Sequence, residues 1–156
     1  MSDPRDRFFE DFAVGQRFEL GATSASQAEM IAFARQFDPQ SFHLDPEAAA
    51  AGPFGGLVAS GWHTAGLTMR LMVDRFLSPA YALGSPGIDE LRFPAPYRPG
   101  HQLTVSLTIE QLIESRSKPD RGIVKQRVEV LEDEGSVVFS MLATAFWLRR
   151  PNPAGS

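Results

Sequence analysis

The stretch from Leu57 to Leu77, LVASGWHTAGLTMRLMVDRFL, decides the fold. Val58, Trp62, Ala65, Leu67, Met69, Leu71, Met72, Val73 and Phe76 recur at helical spacing around most of the circumference. A helix that is apolar nearly all round is one that lies inside a protein, so a long buried helix is predicted over about Ser60 to Leu77. Beyond Pro79 the period changes from helix to strand. GIDELRFPAPYRPGHQL begins with an alternating segment and bends at its prolines, and its RPGH reads as a turn between strands. QLTVSLTIEQLIESRS alternates Leu103, Val105, Leu107 and Ile109 with polar neighbours, GIVKQRVEVLED sets Ile123 and Val130 among charges, and SVVFSMLATAFWLRR closes the series. SKPDRG and EDEGS between them are hairpin loops.

On the other side of the helix, VGQRFELGA at Val14–Ala22 is a short β-prone run bounded by Gly15 and Gly21. TSASQAEMIAFARQF then offers Ser24 or Ser26 as an N-cap and Met30, Ile31, Phe33, Ala34 and Phe37 at helical spacing, and Pro39 stops it. DPEAAAA reopens a helical turn with Asp45 as N-cap and Pro46 in the first position. Helices and strands are therefore segregated, which indicates α+β. The economical arrangement is one antiparallel sheet curled around the apolar helix.

The 156 residues suit one domain, read as 1–150 with 151–156 as a polar tail. The absence of cysteine excludes thiol nucleophiles, disulfide frameworks and cysteine-ligated metals. A net charge of −4, a pI near 5.3 and scattered basic residues argue against nucleic acid as a partner. No segment approaches the roughly 20 apolar residues of a membrane span, and no secretion signal opens the chain, so no membrane association and a cytoplasmic location are expected.

Chemistry concentrates just ahead of the long helix, in FDPQSFHLDPEAAAAGPFGG at Phe37–Gly56. Asp38 and His43 stand five positions apart in what reads as an irregular, proline-bounded turn. Histidine has the proton affinity nearest neutral pH, and a carboxylate within hydrogen-bond reach can position a water or a proton beside it. Downstream, FGGLVASGW brings Gly56, Ser60 and Gly61 to the start of the buried helix. Free N–H groups there suit a developing oxyanion, and a glycine lets a carbonyl approach the backbone. Local physics alone allows both a catalytic pair and a capped turn, and favours the turn. Asp38, His43 and Asp45 also form a set of possible hard metal ligands, although Asp45 has a better use as an N-cap, so no metal is expected. His63 reads as a packing residue inside the helix and His101 as a solvent-exposed turn residue.

The whole segment DPQSFHLDPEAAAAGPFGGLVASGW resembles the MaoC-like dehydratases, whose motif is Asp-x-Asn-Pro-x-His-x-Asp followed by alanines, a Phe-Gly segment and a His-Gly or Ser-Gly pair. LRFPAPYRPGHQL is similar to the family's Arg-Phe-x-x-Pro-Val-x-x-Gly-Asp strand and turn. The resemblance runs from about Phe9 to Leu148 and implies a hot-dog fold, an acyl-CoA thioester as substrate, no further cofactor, and pairing into a homodimer or higher assembly. It also implies reversible hydration of a trans-2-enoyl thioester to a 3-hydroxyacyl thioester, with Asp38 and His43 activating water and the Gly61 N–H polarising the carbonyl. The chain departs from the pattern at Gln40 and Ser41, where Asn-Pro is usual, and at Ser60, where His is more common. Two rivals stand beside this reading: a hot-dog acyl-CoA thioesterase, and a non-catalytic acyl-thioester-binding subunit. Met69, Met72 and Phe76 are candidate tunnel walls as well as candidate core. Arg92, Arg98, Arg116, Lys118 and Arg121 are the candidates for holding CoA phosphates.

Overall fold

The computed structural model describes residues 3–152. After a 3₁₀ turn at Phe9–Asp11 come β1 (Arg17–Ser24), α1 (Gln27–Phe37), α2 (Ser41–Leu44), α3 (Pro46–Ala51) and α4 (Gly61–Arg75). Four long strands follow: β2 (Ala82–Arg92), β3 (Gln102–Glu114), β4 (Arg121–Glu132) and β5 (Val137–Leu148). All pairings are antiparallel, in the order β1-β3-β4-β5-β2. This is the hot-dog architecture, α+β, with α4 lying against the inner face of a five-stranded sheet. Pro151 and Asn152 have no regular structure, and the rest of the expected tail lies outside the described residues.

Several expectations need correction. The first strand starts later than Val14, because Gly15 takes a positive φ in the preceding turn, and Gly21 (φ +98°) sits at a bulge where β1 shifts register against β3. β2 begins at Ala82, ahead of the alternating stretch that starts at Gly87.

The α4 helix is not enclosed on all sides. Thr64, Thr68, Leu71 and Met72 are buried, whereas Trp62 is 60% exposed, Met69 42% and Val73 45%. One sheet can cover only one side of a helix, and the remaining apolar side is left open together with the adjoining edge strand β2, where Leu83 and Ile88 are also exposed.

On β4, Ile123 and Val130 cannot both point inward, since side chains alternate and the two positions differ by an odd number. The inward row is Val124, Gln126, Val128 and Val130, and Ile123 faces the other way. A polar residue in the middle of the row hides the alternation from the sequence. The outward row is paired: Arg127 bonds Glu110 (2.8 Å) and Glu90 (3.0 Å), and Lys125 bonds Asp89 (2.6 Å).

The centre of the core is aromatic. Phe12, Phe76 and Trp147 pack at centroid distances of 4.8 to 5.9 Å, and the buried Trp147 Nε1–H donates to the Arg7 carbonyl at 2.6 Å. Phe76 is therefore core and not a tunnel wall.

Candidate active site

The site is assembled by three short capping events. Ser26 caps α1 in a reciprocal pair with Glu29, and α1 runs to Phe37. Pro39 bars the residue before it from the helical region, so Asp38 turns out at φ −152°, ψ 67° while its N–H still donates to Ala34 O at 2.8 Å. Residues 41–44, expected to be irregular, form the single helical turn α2, with His43 on it; four residues are too few to show a period. Asp45 then caps α3, accepting from Glu47 N (3.0 Å) and Ala48 N (3.3 Å). Its carboxylate is engaged there and takes no part with Asp38 and His43.

These turns bring Asp38 and His43 together. His43 Nε2 lies 3.3 Å from Asp38 Oδ2, and both side chains are largely withdrawn from solvent, at 8% and 17% exposed. Nδ1 of His43 lies 2.7 Å from the carbonyl of Val58. A carbonyl only accepts, so Nδ1 carries the hydrogen, and Nε2 is the atom that exchanges a proton. Asp38 in turn accepts from the Gln40 amide at Oδ1 and the Ser60 hydroxyl at Oδ2, each at 2.7 Å. Burial pushes its carboxyl pKa up, but those two donors and His43 outweigh burial, and the net value lies below the ordinary one. Asp38 is thus a carboxylate at neutral pH, held between two neutral donors and an imidazole.

Ser60 is fully buried at the start of α4, where its hydroxyl also accepts from Trp62 N at 3.3 Å. It faces Asp38 and acts as a link between helix and carboxylate. Gly61 is the first helical residue, so its N–H has no acceptor within the helix. The room that its missing side chain leaves is taken by Phe93: a Cβ at Gly61 would stand 2.5 Å from that ring. Glycine is needed here for the packing of Phe93, and not for the approach of a carbonyl from that side.

His43 and Gly61 open onto one cleft of about 340 Å³, lined also by Phe42, Phe54, Thr64, Phe93 and Tyr97. Gly56 is not part of its lining; it lies beside the guanidinium of Arg98, whose Nη2 donates to the Phe54 carbonyl. His63 is half-buried, its ring stacked on Phe33 at 4.7 Å, and burial depresses its pKa while Glu29 opposes the shift. His101, expected to be exposed, is instead partly covered and bonded through Nδ1 to Glu132 at 2.9 Å.

Residues 11–132, which hold every group named in the site, match the family described as the MaoC like domain. The chain belongs to the MaoC-like dehydratase family. A crystal structure of a MaoC-like dehydratase from Rhodospirillum rubrum is 46% identical and superposes with a TM-score of 0.87 over 94% of this chain and 100% of that one. A 3-hydroxybutyryl-CoA dehydratase of Methylorubrum extorquens is 32% identical over 119 residues, 76% of this chain and 73% of its own. The uncharacterized protein YdeM of Bacillus subtilis is 28% identical over 138 residues, 83% of this chain and 96% of its own.

Within this MaoC-like domain, the departures from the motif at Gln40 and Ser41 fall into place. Gln40 occupies the N-cap position of α2, and its amide bonds Asp38; Ser41 opens the same turn. Sequence reading missed three contributors: the Val58 carbonyl, the Gln40 amide as a holder of Asp38, and Phe93 against Gly61. Backbone acceptors leave no mark in sequence. Phe93 directly follows β2, far from Gly61 in the chain, and only Gly61 itself hinted at a close approach.

Proposed function

We propose that this protein catalyses the reversible addition of water to a trans-2-enoyl thioester, giving a 3-hydroxyacyl thioester. The observation that carries the reading is the Asp38–His43 pair, with Nδ1 tied to Val58 and Nε2 left beside the carboxylate, and with His43 on the wall of a cleft shared with the N-terminus of α4. A water hydrogen-bonded to both Nε2 and the Asp38 carboxylate gives up one proton to the pair as its oxygen bonds the β-carbon, and the pair returns a proton to the α-carbon. The imidazolium formed on the way is stabilised by the adjacent carboxylate and the Val58 carbonyl. The Gly61 N–H, at the positive end of α4, stabilises the enolate character that develops on the thioester oxygen. Neither metal nor redox cofactor enters this scheme, since acid–base groups and an oxyanion donor suffice.

The acyl carrier is read as coenzyme A. Of the five basic candidates, Arg92 and Arg121 are paired with Glu90 and Asp120. Arg98 is the one bonded to a residue of the cleft wall, through the Phe54 carbonyl, and is assigned the phosphates. The functional unit is read as a homodimer: the open side of α4 and the exposed edge strand β2 leave Trp62, Val73, Leu83 and Ile88 uncovered, and a second copy would bury them.

Crotonyl-CoA tests the reading. Loss of the conjugated enoyl absorbance with no free thiol is the expected result. Release of thiol would make the protein a thioesterase, and binding without turnover a non-catalytic subunit.

A further inference from the structure

A second cavity, about 460 Å³, lies farther along α4 and β5. The cleft at His43 is lined by Gly61 and Thr64 of α4 and Val138 of β5; the second cavity takes up Met69 and Met72 of α4 and Met141 and Ala143 of β5. The two lie end to end on the same two elements, about 12 Å apart from Thr64 to Met72 at ~1.5 Å per helical residue. Small side chains make the room: Ala82, Gly84 and Ser85 on β2, Ala143 and Ala145 on β5.

Gln126 lines this cavity from the inward row of β4, opposite Ala143. It is 1% exposed, and its Oε1 has no hydrogen-bond partner among the described residues. A buried carboxamide in an otherwise apolar row costs stability unless something pairs with it. The other polar side chains at the cavity are engaged: Ser78 donates to Asp6, Ser85 to the Gly87 carbonyl, and Arg5 pairs with Asp3 and the Val73 carbonyl. The exception is Thr144, which also borders the cavity and whose Oγ1 lacks a partner among the described residues; it stands in register with Lys125, one position on from the Ala143 that faces Gln126. The group that Gln126 awaits is therefore neutral, since no unpaired charge faces it, and able to donate a hydrogen bond. A hydroxyl does both, and half a turn of the carboxamide lets Nε2 donate in return.

We infer that the cavity receives the distal part of the acyl chain and that Gln126 selects chains carrying a hydroxyl beyond the reacting carbons. The inference rests on the enoyl-thioester reading above and names its substrate class: hydroxylated acyl thioesters in preference to plain alkyl ones. A site built to bond a substrate hydroxyl discriminates against the analogue that lacks it, because the site's own polar group is then left unpaired.

The test compares medium-chain 2-enoyl-CoAs that bear a hydroxyl at successive distal carbons with the unsubstituted chain of equal length, in wild-type protein and Gln126→Leu. In wild type, one hydroxylated positional isomer exceeds the plain chain about tenfold or more in kcat/KM. Gln126→Leu removes or reverses that preference and leaves crotonyl-CoA turnover unchanged, its acyl group being too short to reach the residue. Calorimetric binding of the saturated hydroxyacyl-CoA and alkanoyl-CoA pair, which needs no turnover, reads the same preference and separates this inference from the hydration reading. Equal or greater preference for the plain chain at every position in wild type, unaltered by Gln126→Leu in a variant that keeps its thermal midpoint, overturns it.

Discussion

The two ends of α4 are built on opposite terms. At the N-terminus the polar groups are locked: Ser60 is fully buried with a bond to Asp38 and another from its own helix, and His43 is tied to Val58. At the C-terminal half the contacts are methionines and small residues around a cavity, with one carboxamide unpaired. Proton transfer needs atoms held within a few tenths of an ångström, which rigid hydrogen-bond networks supply. Recognition of a flexible chain needs volume and adaptable walls, which thioethers supply.

The largest effects expected from breaking this contrast are at the locked end. Asp38→Asn and His43→Ala should each lower kcat for crotonyl-CoA hydration by about 10²–10⁴-fold, the usual share of general acid–base groups. Their circular dichroism and thermal midpoints should stay near wild type; activity retained in either variant would remove the pair from the mechanism. Next comes Gly61→Ala. Its Cβ would overlap the Phe93 ring, so the variant should lose about 1–3 kcal/mol of stability by overpacking, along with activity. Phe93→Ala in the same chain should recover the stability, and a double-mutant cycle on urea midpoints measures the coupling.

Ser60→Ala is smaller and more telling. It removes an N-cap, worth about 1 kcal/mol, together with a donor to Asp38. A carboxylate held below its ordinary pKa contributes stability that is present above the ordinary value and lost as pH falls through the lowered one. With one donor gone, the Asp38 pKa rises, so the acid limb of kcat/KM should move to higher pH. Gln40→Leu should move it the same way. A pH profile unchanged in both would show that these donors do not set the charge of Asp38. The smallest effect is at His63, whose pKa is depressed by burial. The unfolded chain then binds more protons, so stability falls as pH drops below about 6.5 toward the folded pKa. His63→Phe should flatten that slope in thermal midpoints taken from neutral to mildly acidic pH.

Much of this was legible in the residues themselves. The change of period after Pro79, the prolines and the capping residues Ser26 and Asp45 specify which segments are helix and which are strand, because propensity and capping act over one or two turns. The Asp38–His43 spacing, matched to a known family motif, located the site. Pairing across long sequence separations was not legible. Which side of β4 faces the core is one case: Gln126 interrupts its apolar row, and register is set by pairing with β3 and β5. The burial of α4 was overestimated because periodicity reports which faces are apolar, not how many of them the same chain can cover. What the amino acids determined by themselves was the order of elements, their caps and the identity of the acid and the imidazole. Only the tertiary structure decided that Val58 orients the imidazole, that Gln40 and Ser60 hold the carboxylate, and that Gln126 faces a cavity. Each of those depends on atoms far apart in the chain meeting within a hydrogen bond's reach or packing around a shared space, which no local pattern encodes.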